Sequence, residues 1–166
     1  QSFLFAIVIS YLLMAALFQS FAFPLIILSS LPLALTGGFV GIWISGAEFN
    51  VITMLGFVLL SGIVVNNAIL LVDFTLRAVR SGDEFHDAAL NAVKVRMRPI
   101  FMTSLTTMLG MMPLALGRGV GTELYSGLGV AVVGGMALST VFTLVLIPLV
   151  LVTALEISHR FFGKAI

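Results

Sequence analysis

The chain has 166 residues, no cysteine and a net charge of only +1 at pH 7. Hydrophobic residues make up 60% of it and charged residues 9%, which is far from the composition of a soluble globular domain. This composition indicates an integral membrane protein, and the missing cysteines exclude disulfides, thiolate catalysis and cysteine-bound metals. The length leaves room for a small helix bundle but not for a large extramembrane domain. A first residue other than methionine is typical of a piece of a longer protein.

Apolar runs predict an all-α, polytopic membrane helix bundle with five spans. Residues 1–47 carry no charge, and because one span needs about 20 apolar residues, this stretch alone holds two. Between the third and fourth spans, the charged segment has apolar residues on one helical face, and Ser81 and Glu84 have the spacing of a capping box. This segment predicts a short amphipathic helix on the membrane surface, and Pro99 is expected in the first turn of the next span. The predicted spans are about residues 3–18, 24–45, 51–76, 99–116 and 124–155, and the surface helix is about 83–95.

Basic residues predict the orientation of the bundle. Seven of the eight lie near the surface helix or after the last span, and only Arg118 falls in a loop on the other side. Because lysine and arginine concentrate in cytoplasmic loops, the N-terminus is expected outside and the C-terminus in the cytoplasm.

Small residues recur every four positions in the second and fifth spans. This spacing lets neighbouring helix backbones approach closely, so it predicts helix packing rather than a ligand site. The residues are Gly37, Gly41 and Ser45 in the second span and Gly127, Ala131, Gly135 and Ser139 in the fifth.

Two adjacent asparagines, Asn66 and Asn67, interrupt the apolar third span roughly 15 Å from its cytoplasmic end. Adjacent helical positions point about 100° apart, so the two amides are expected to serve different neighbours. One interpretation is hydrogen bonding between helices, worth about 0.6 kcal/mol for each amide. The other is that they border a polar path through the membrane.

The other polar residues of the spans have simpler interpretations. Hydroxyls in the fourth span, such as that of Thr103, are expected to bond back to carbonyls of their own helix. Asp73 is expected to reach the interface or a basic neighbour. Neither histidine lies in a span, and no HExxH, GxSxG or P-loop motif is present. The sequence therefore predicts no catalytic residue, no metal and no nucleic-acid partner.

Three segments together resemble resistance-nodulation-division (RND) efflux pumps of the AcrB type: "GIVVNNAILLVDF", "RMRPIFMTSLTTMLGMMPLALG" and "GLGVAVVGGMALSTVFTLVLIPL". The similarity extends to "FQSFAFPLIILSSLPLALTGG" and so covers nearly the whole chain. In that family each subunit has twelve spans in two related halves and two periplasmic domains, and three subunits form a pump driven by inward proton flow. The chain resembles spans eight to twelve.

The resemblance also implies a site. By motif position, the arginine of the family's proton relay corresponds to Arg96, its threonine to Thr103 and its lysine to Asn66, with Asn67 beside it. The two aspartates of the relay belong to the half that is not in these residues. An amide in place of the lysine removes an ion-pair switch but leaves a relay possible.

The resemblance implies a multidrug or solute exporter in the bacterial inner membrane, with protons as coupling ion and no cofactor. Expected partners are the lipid bilayer, the N-terminal half and periplasmic domains of the same polypeptide, two further copies in a homotrimer, a periplasmic adaptor protein and an outer-membrane channel. Rival interpretations are a small self-sufficient transporter, a non-transporting membrane scaffold, and an RND relative that handles lipids or protein export. An upstream span with two adjacent aspartates, of the form "GxxxDDAI", would separate these.

Overall fold

A computed structural model of the chain describes residues 2–117 and 123–162. These residues form helices joined by short turns, with no strand among them, so the all-α prediction is confirmed. The helices are α1 (Ser2–Phe18), α2 (Ala22–Leu28), α3 (Ser30–Ser45), α4 (Val51–Arg80), α5 (Phe85–Ala115) and α6 (Glu123–Phe162).

Helix α6 is the centre of the bundle, because α3, α4 and α5 all pack along it. Its 40 residues span roughly 60 Å at the helical rise, about twice the thickness of the hydrocarbon core of a bilayer. Buried side chains of α6, among them Met136, Ile147 and Leu151, supply both apolar clusters of the core. Helix α1 lies at the edge and packs on α2, where the rings of Phe18 and Phe23 meet edge to face.

Three helical stretches are long and apolar enough to cross a membrane: residues 22–45, 51–80 and 124–157. They correspond to the second, third and fifth predicted spans. The apolar part of α1, residues 8–18, is shorter. The chain is therefore a membrane-embedded protein, and the first and fourth spans stay predictions.

The second predicted span is divided into two helices. Helix α2 ends at Leu28 and α3 begins at Ser30, because Pro32 has no N–H to donate to the carbonyl of Leu28. The hydroxyls of Ser29 and Ser30 donate to carbonyls of the preceding turn at 2.6 and 2.7 Å. These two bonds satisfy carbonyls at the break. Residues 22–45 therefore still form one apolar stretch long enough to cross a membrane.

The prediction of a separate surface helix is wrong. Residues 83–95 belong to the long helix α5, and Pro99 lies in the interior of that helix instead of its first turn. The apolar face of this segment turns towards the bundle, since Ala88, Ala89 and Ala92 are buried. Packing of that face keeps the helix axis continuous through Pro99, at the loss of one backbone hydrogen bond.

The predicted capping box is also wrong. Glu84 occupies the N-cap position of α5 and makes no side-chain capping bond. The hydroxyl of Ser81 donates instead to the carbonyl of Arg77 in α4, at 2.8 Å. Ser81 therefore terminates the helix before the turn and does not start the helix after it.

Helices α3 and α6 approach each other through glycine. A Cβ atom added at Gly37 would lie 2.9 Å from the carbonyl oxygen of Gly134, and one added at Gly41 would lie 3.1 Å from that of Val130. Gly127 adjoins the side chain of Thr53 in α4. Further along α6, Gly135 lies against the side chain of Leu60, and Ala131 and Ser139 are buried. Six of the seven small residues predicted to pack helices are therefore buried or in close contact where α6 meets α3 and α4, and the seventh, Ser45, is exposed.

Candidate functional site

Helix α4 turns its two asparagines in different directions. Its buried face includes Val64 and Ala68, with exposed fractions of 1% and 0%. Asn66 lies about 200° around the helix from both of them and is exposed, whereas Asn67 is half-buried. Within the described part of the chain, neither amide makes a hydrogen bond. The polar groups that these amides require are therefore not among the described residues.

The outward face of α4 is polar over the second half of the helix. Gly62, Asn66, Asp73 and Arg77 fall within roughly 60° of one another around the helix axis. A side chain added at Gly62 would meet nothing within 4 Å. Asp73 forms an ion pair with Arg77, at 2.9 Å between Oδ2 and Nε. Arg77 is therefore the basic neighbour predicted for Asp73. Arg80 is exposed on the same face, and the other exposed side chains of α4 are apolar.

A second face of α4 meets α5. The Arg96 guanidinium of α5 lies over the Phe74 ring of α4, with 5.3 Å from Cζ to the ring centroid. The two helices run in opposite directions because a turn of only four residues, 81–84, joins them. Asn67 precedes Phe74 by seven residues on α4, and Thr103 follows Arg96 by seven residues on α5. Seven residues are two helical turns, which return to the same face after roughly 10 Å. Helix register therefore places Thr103 at the level of Asn67.

Arg96 is the most unusual side chain of this site. Its Nε is buried and has no hydrogen-bond partner, and no other buried side-chain nitrogen or oxygen in the described residues lacks one. A guanidinium has five N–H donors and stays charged at any physiological pH. One such donor buried without a partner costs about 1–3 kcal/mol of stability. The terminal Nη groups are neither buried nor hydrogen-bonded within the described residues. The arrangement is therefore suited to bind an anion.

Hydroxyls of α5 bond back to their own helix, as predicted. Thr103 donates to the carbonyl of Ile100 at 3.0 Å, and Thr106 and Thr107 donate one turn back at 2.8 Å each. Thr103 is exposed. Its single proton is used in this bond, but the hydroxyl oxygen keeps lone pairs that can accept a hydrogen bond.

Ser104 and Thr140 form a buried link between α5 and α6 that the sequence does not reveal. Ser104 is fully buried, and its Oγ lies 2.8 Å from Thr140 Oγ1, which lies 2.7 Å from the carbonyl oxygen of Met136. Each hydroxyl has one proton, so a chain of donors from Ser104 to Thr140 to Met136 satisfies both. Because Ser104 is next to Thr103, this link fixes the rotation of α5 at the candidate site. The sequence shows hydroxyl residues at helical spacing in both helices. That spacing does not show which hydroxyl of α6 meets Ser104.

The chain matches a known protein family. The model described as the AcrB/AcrD/AcrF family matches residues 2–154. The match includes all of α1 to α5 and most of α6. It also includes the four site positions Asn66, Asn67, Arg96 and Thr103. It confirms the resemblance predicted from the three motifs. The chain belongs to the AcrB/AcrD/AcrF family of RND transporters.

Proposed function

We propose that the chain forms the second half of the membrane domain of a proton-driven RND exporter, where it supplies the polar but non-titrating side of a proton relay. The observation that supports this proposal is the Asn66 amide, which is exposed in the middle of an apolar helix without a hydrogen-bond partner in the described residues. An unpaired amide in hydrocarbon is unfavourable, so this amide needs a polar partner from another segment or from water.

The chemistry of the four site residues fits such a role. Amides and hydroxyls do not titrate at physiological pH, so proton uptake belongs to carboxylates of the other half of the pump. The Asn66 amide donates to an ionised carboxylate through its NH₂ group and accepts from a protonated one through its oxygen. The Arg96 guanidinium stabilises the ionised state, and the Thr103 oxygen accepts a hydrogen bond from a protonated group or from water. Protonation then exchanges hydrogen bonds at Asn66 without breaking an ion pair.

In the complete pump, Asn66→Leu is expected to reduce export roughly tenfold or more, since it removes a hydrogen bond to a charged group. Thr103→Ala is expected to reduce export about 2- to 10-fold, since it removes a hydrogen bond from a neutral donor. The rate of dye efflux from cells, corrected for the amount of pump in the membrane, is the measurement. Thr106→Ala is the matched control for Thr103, because it removes an exposed hydroxyl that also bonds back to its own helix. Normal export by both site variants at normal protein levels would leave only a packing role for these residues.

The proposal places the protein in the bacterial inner membrane with its C-terminus in the cytoplasm. The chain has no cysteine, so single cysteines give labelling without background. Glu48→Cys lies in the exposed turn between α3 and α4, and Ser81→Cys in the turn between α4 and α5. We expect an impermeant thiol reagent to label position 48 in spheroplasts, and position 81 only after the membrane is opened. Labelling of position 81 alone in intact spheroplasts would reverse the orientation.

The proposal includes the assembly that the family resemblance implies: a homotrimer of the complete polypeptide, including its N-terminal half and periplasmic domains, with a periplasmic adaptor and an outer-membrane channel. Export moves a solute without making or breaking covalent bonds in it. The proposed function therefore needs no catalytic residue and no cofactor besides the coupling protons.

A further inference from the structure

The Arg96 side chain reaches from α5 to α4 and ends over an aromatic ring. Its guanidinium carbon lies 5.3 Å from the centroid of the Phe74 ring, and its Nε is buried without a hydrogen-bond partner. Arg96 as a whole is half-buried, and Nε is the part of the guanidinium that water does not reach. A buried charged donor without a partner is unfavourable, and another interaction must therefore hold it in place.

No carboxylate of the described residues provides that interaction. The acidic residue closest in sequence to the ring is Asp73, and its carboxylate is paired with Arg77 at 2.9 Å. Adjacent positions on a helix point about 100° apart, so Asp73 faces outward where Phe74 faces α5. The Arg96 guanidinium therefore meets the face of a ring in place of a counter-ion. Attraction between a cation and a ring face grows as the cation loses water, and Nε of this cation is buried.

The ring itself is held by the core. Phe74 is half-buried and packs against the apolar cluster that joins α1, α2, α4, α5 and α6. A phenylalanine ring has two side-chain torsions, whereas arginine has many rotamers and loses much entropy when it is ordered. A fixed ring beneath the guanidinium limits those rotamers before any anion arrives.

We propose that Phe74 is a positioning residue for Arg96: its ring face holds the guanidinium between α4 and α5 and leaves the accessible Nη N–H groups free to donate to an anion, such as a carboxylate of the other half of the pump. This inference rests on the proposed function, in which Arg96 belongs to the relay. Helix register supports this inference. Phe74 lies two turns from Asn67 on α4, and Arg96 lies two turns from Thr103 on α5, so the ring contact is about 10 Å from the level of those two residues.

The first test measures export by the complete pump. Phe74→Leu keeps apolar bulk but removes the ring, and we expect the export rate to fall about 2- to 30-fold, the range that corresponds to a cation–π contact. Phe74→Tyr keeps the ring face and is expected to restore most of the rate. The matched control is Phe85→Leu, because Phe85 is also half-buried and packs against the same cluster. Both leucine variants lose ring packing and are expected to melt at similar temperatures, but only Phe74→Leu loses export.

The second test detects the contact without transport. In the 166-residue chain, labelled with ¹⁵N-arginine and placed in lipid nanodiscs, the Arg96 Nε–H resonance carries the ring-current shift of Phe74. We expect that resonance to move in Phe74→Leu and to stay in place in Phe85→Leu. A resonance that is the same in wild type and in Phe74→Leu would overturn the contact itself.

Arg96→Met, which removes the charge and every N–H donor, distinguishes failure of this inference from failure of the proposed function. We expect the methionine variant to be impaired, and Phe74→Leu to lower its rate no further, because Phe74 acts through the Arg96 guanidinium. Normal export by Arg96→Met would remove Arg96 from the relay and overturn both proposals. Impaired export by Arg96→Met with normal export by Phe74→Leu would overturn the positioning role alone. Equal losses in Phe74→Leu and Phe74→Tyr would also overturn it, since the ring face would then make no difference.

Discussion

Gly37→Leu is expected to disrupt the helix bundle, because α3 and α6 touch almost backbone to backbone at this position. A Cβ atom on Gly37 would lie 2.7 Å from the Cβ of Leu138 and 2.9 Å from the carbonyl oxygen of Gly134. Neither atom can move without moving its helix. Overpacking a well-packed interior costs about 1–3 kcal/mol, and a leucine at such close contact is expected to exceed that range. This is a large part of the stability of a typical domain, about 5–15 kcal/mol.

Two variants make this expectation specific. Gly37→Ala adds only the Cβ and is expected to lower the melting temperature by less than Gly37→Leu does. Gly110→Leu is the matched control, because Gly110 also lies inside a helix but a Cβ there would meet nothing within 4 Å. Replacing that glycine gains about 1 kcal/mol of helix propensity, so its melting temperature should not fall. Circular dichroism in one detergent measures all three, and equal midpoints for Gly37→Leu and Gly110→Leu would contradict the backbone contact.

The glycine interface shows what periodicity can predict. A spacing of four residues identifies the face of α6 that contains Gly127 and Gly135, and close contacts lie there. It does not identify Gly134, whose carbonyl and Cα approach Gly37 and Gly41. Two faces of α6 are in contact at once, since α3 and α4 both pack on it. The relative rotation of packed helices depends on all their side chains together. It cannot be predicted from the sequence pattern of one helix.

The same limit applies to the candidate site. The 100° step between Asn66 and Asn67 predicts different surroundings, but the exposure of Asn66 depends on which face of α4 packs on α6. The pairing of Ser104 with Thr140 and the position of Arg96 over Phe74 depend on the register between helices in the same way. Family motifs supply the identities of Asn66, Arg96 and Thr103 but not these contacts.

The wrong prediction of where α5 begins has a different cause. Charged residues and Pro99 are correct signals for a helix near the membrane surface and for a helix boundary, considered locally. Burial of Ala88, Ala89 and Ala92 against the bundle outweighs both signals and extends the helix through the proline. The continuity of this helix therefore depends on tertiary packing, which a local sequence pattern does not predict.

The 166-residue chain, reconstituted alone in lipid vesicles, is expected to insert as a helical protein and to show no proton-coupled transport. Insertion is expected because helices satisfy their own backbone hydrogen bonds in lipid. Transport is expected to fail for a chemical reason. A pH gradient does work only through a group whose proton affinity differs between two conformations.

Asp73 is the only carboxylate within the predicted spans, and its surroundings make it unsuited to that role. It lies near the end of α4 and is paired with Arg77 one turn away, at 2.9 Å, with a third of its side chain exposed. This local pair does not depend on another helix, so rearrangement of the bundle does not separate the two charges. Vesicles that contain a pH-sensitive dye, with and without a lipophilic cation, measure the flux, and protein-free vesicles are the control. A substrate-dependent proton flux that disappears in Asp73→Asn would show that the chain transports by itself and that its coupling group is Asp73. Absence of flux in the chain, together with export by the complete pump, locates proton uptake in residues outside this half, since Asn66, Thr103 and Arg96 do not change protonation at physiological pH.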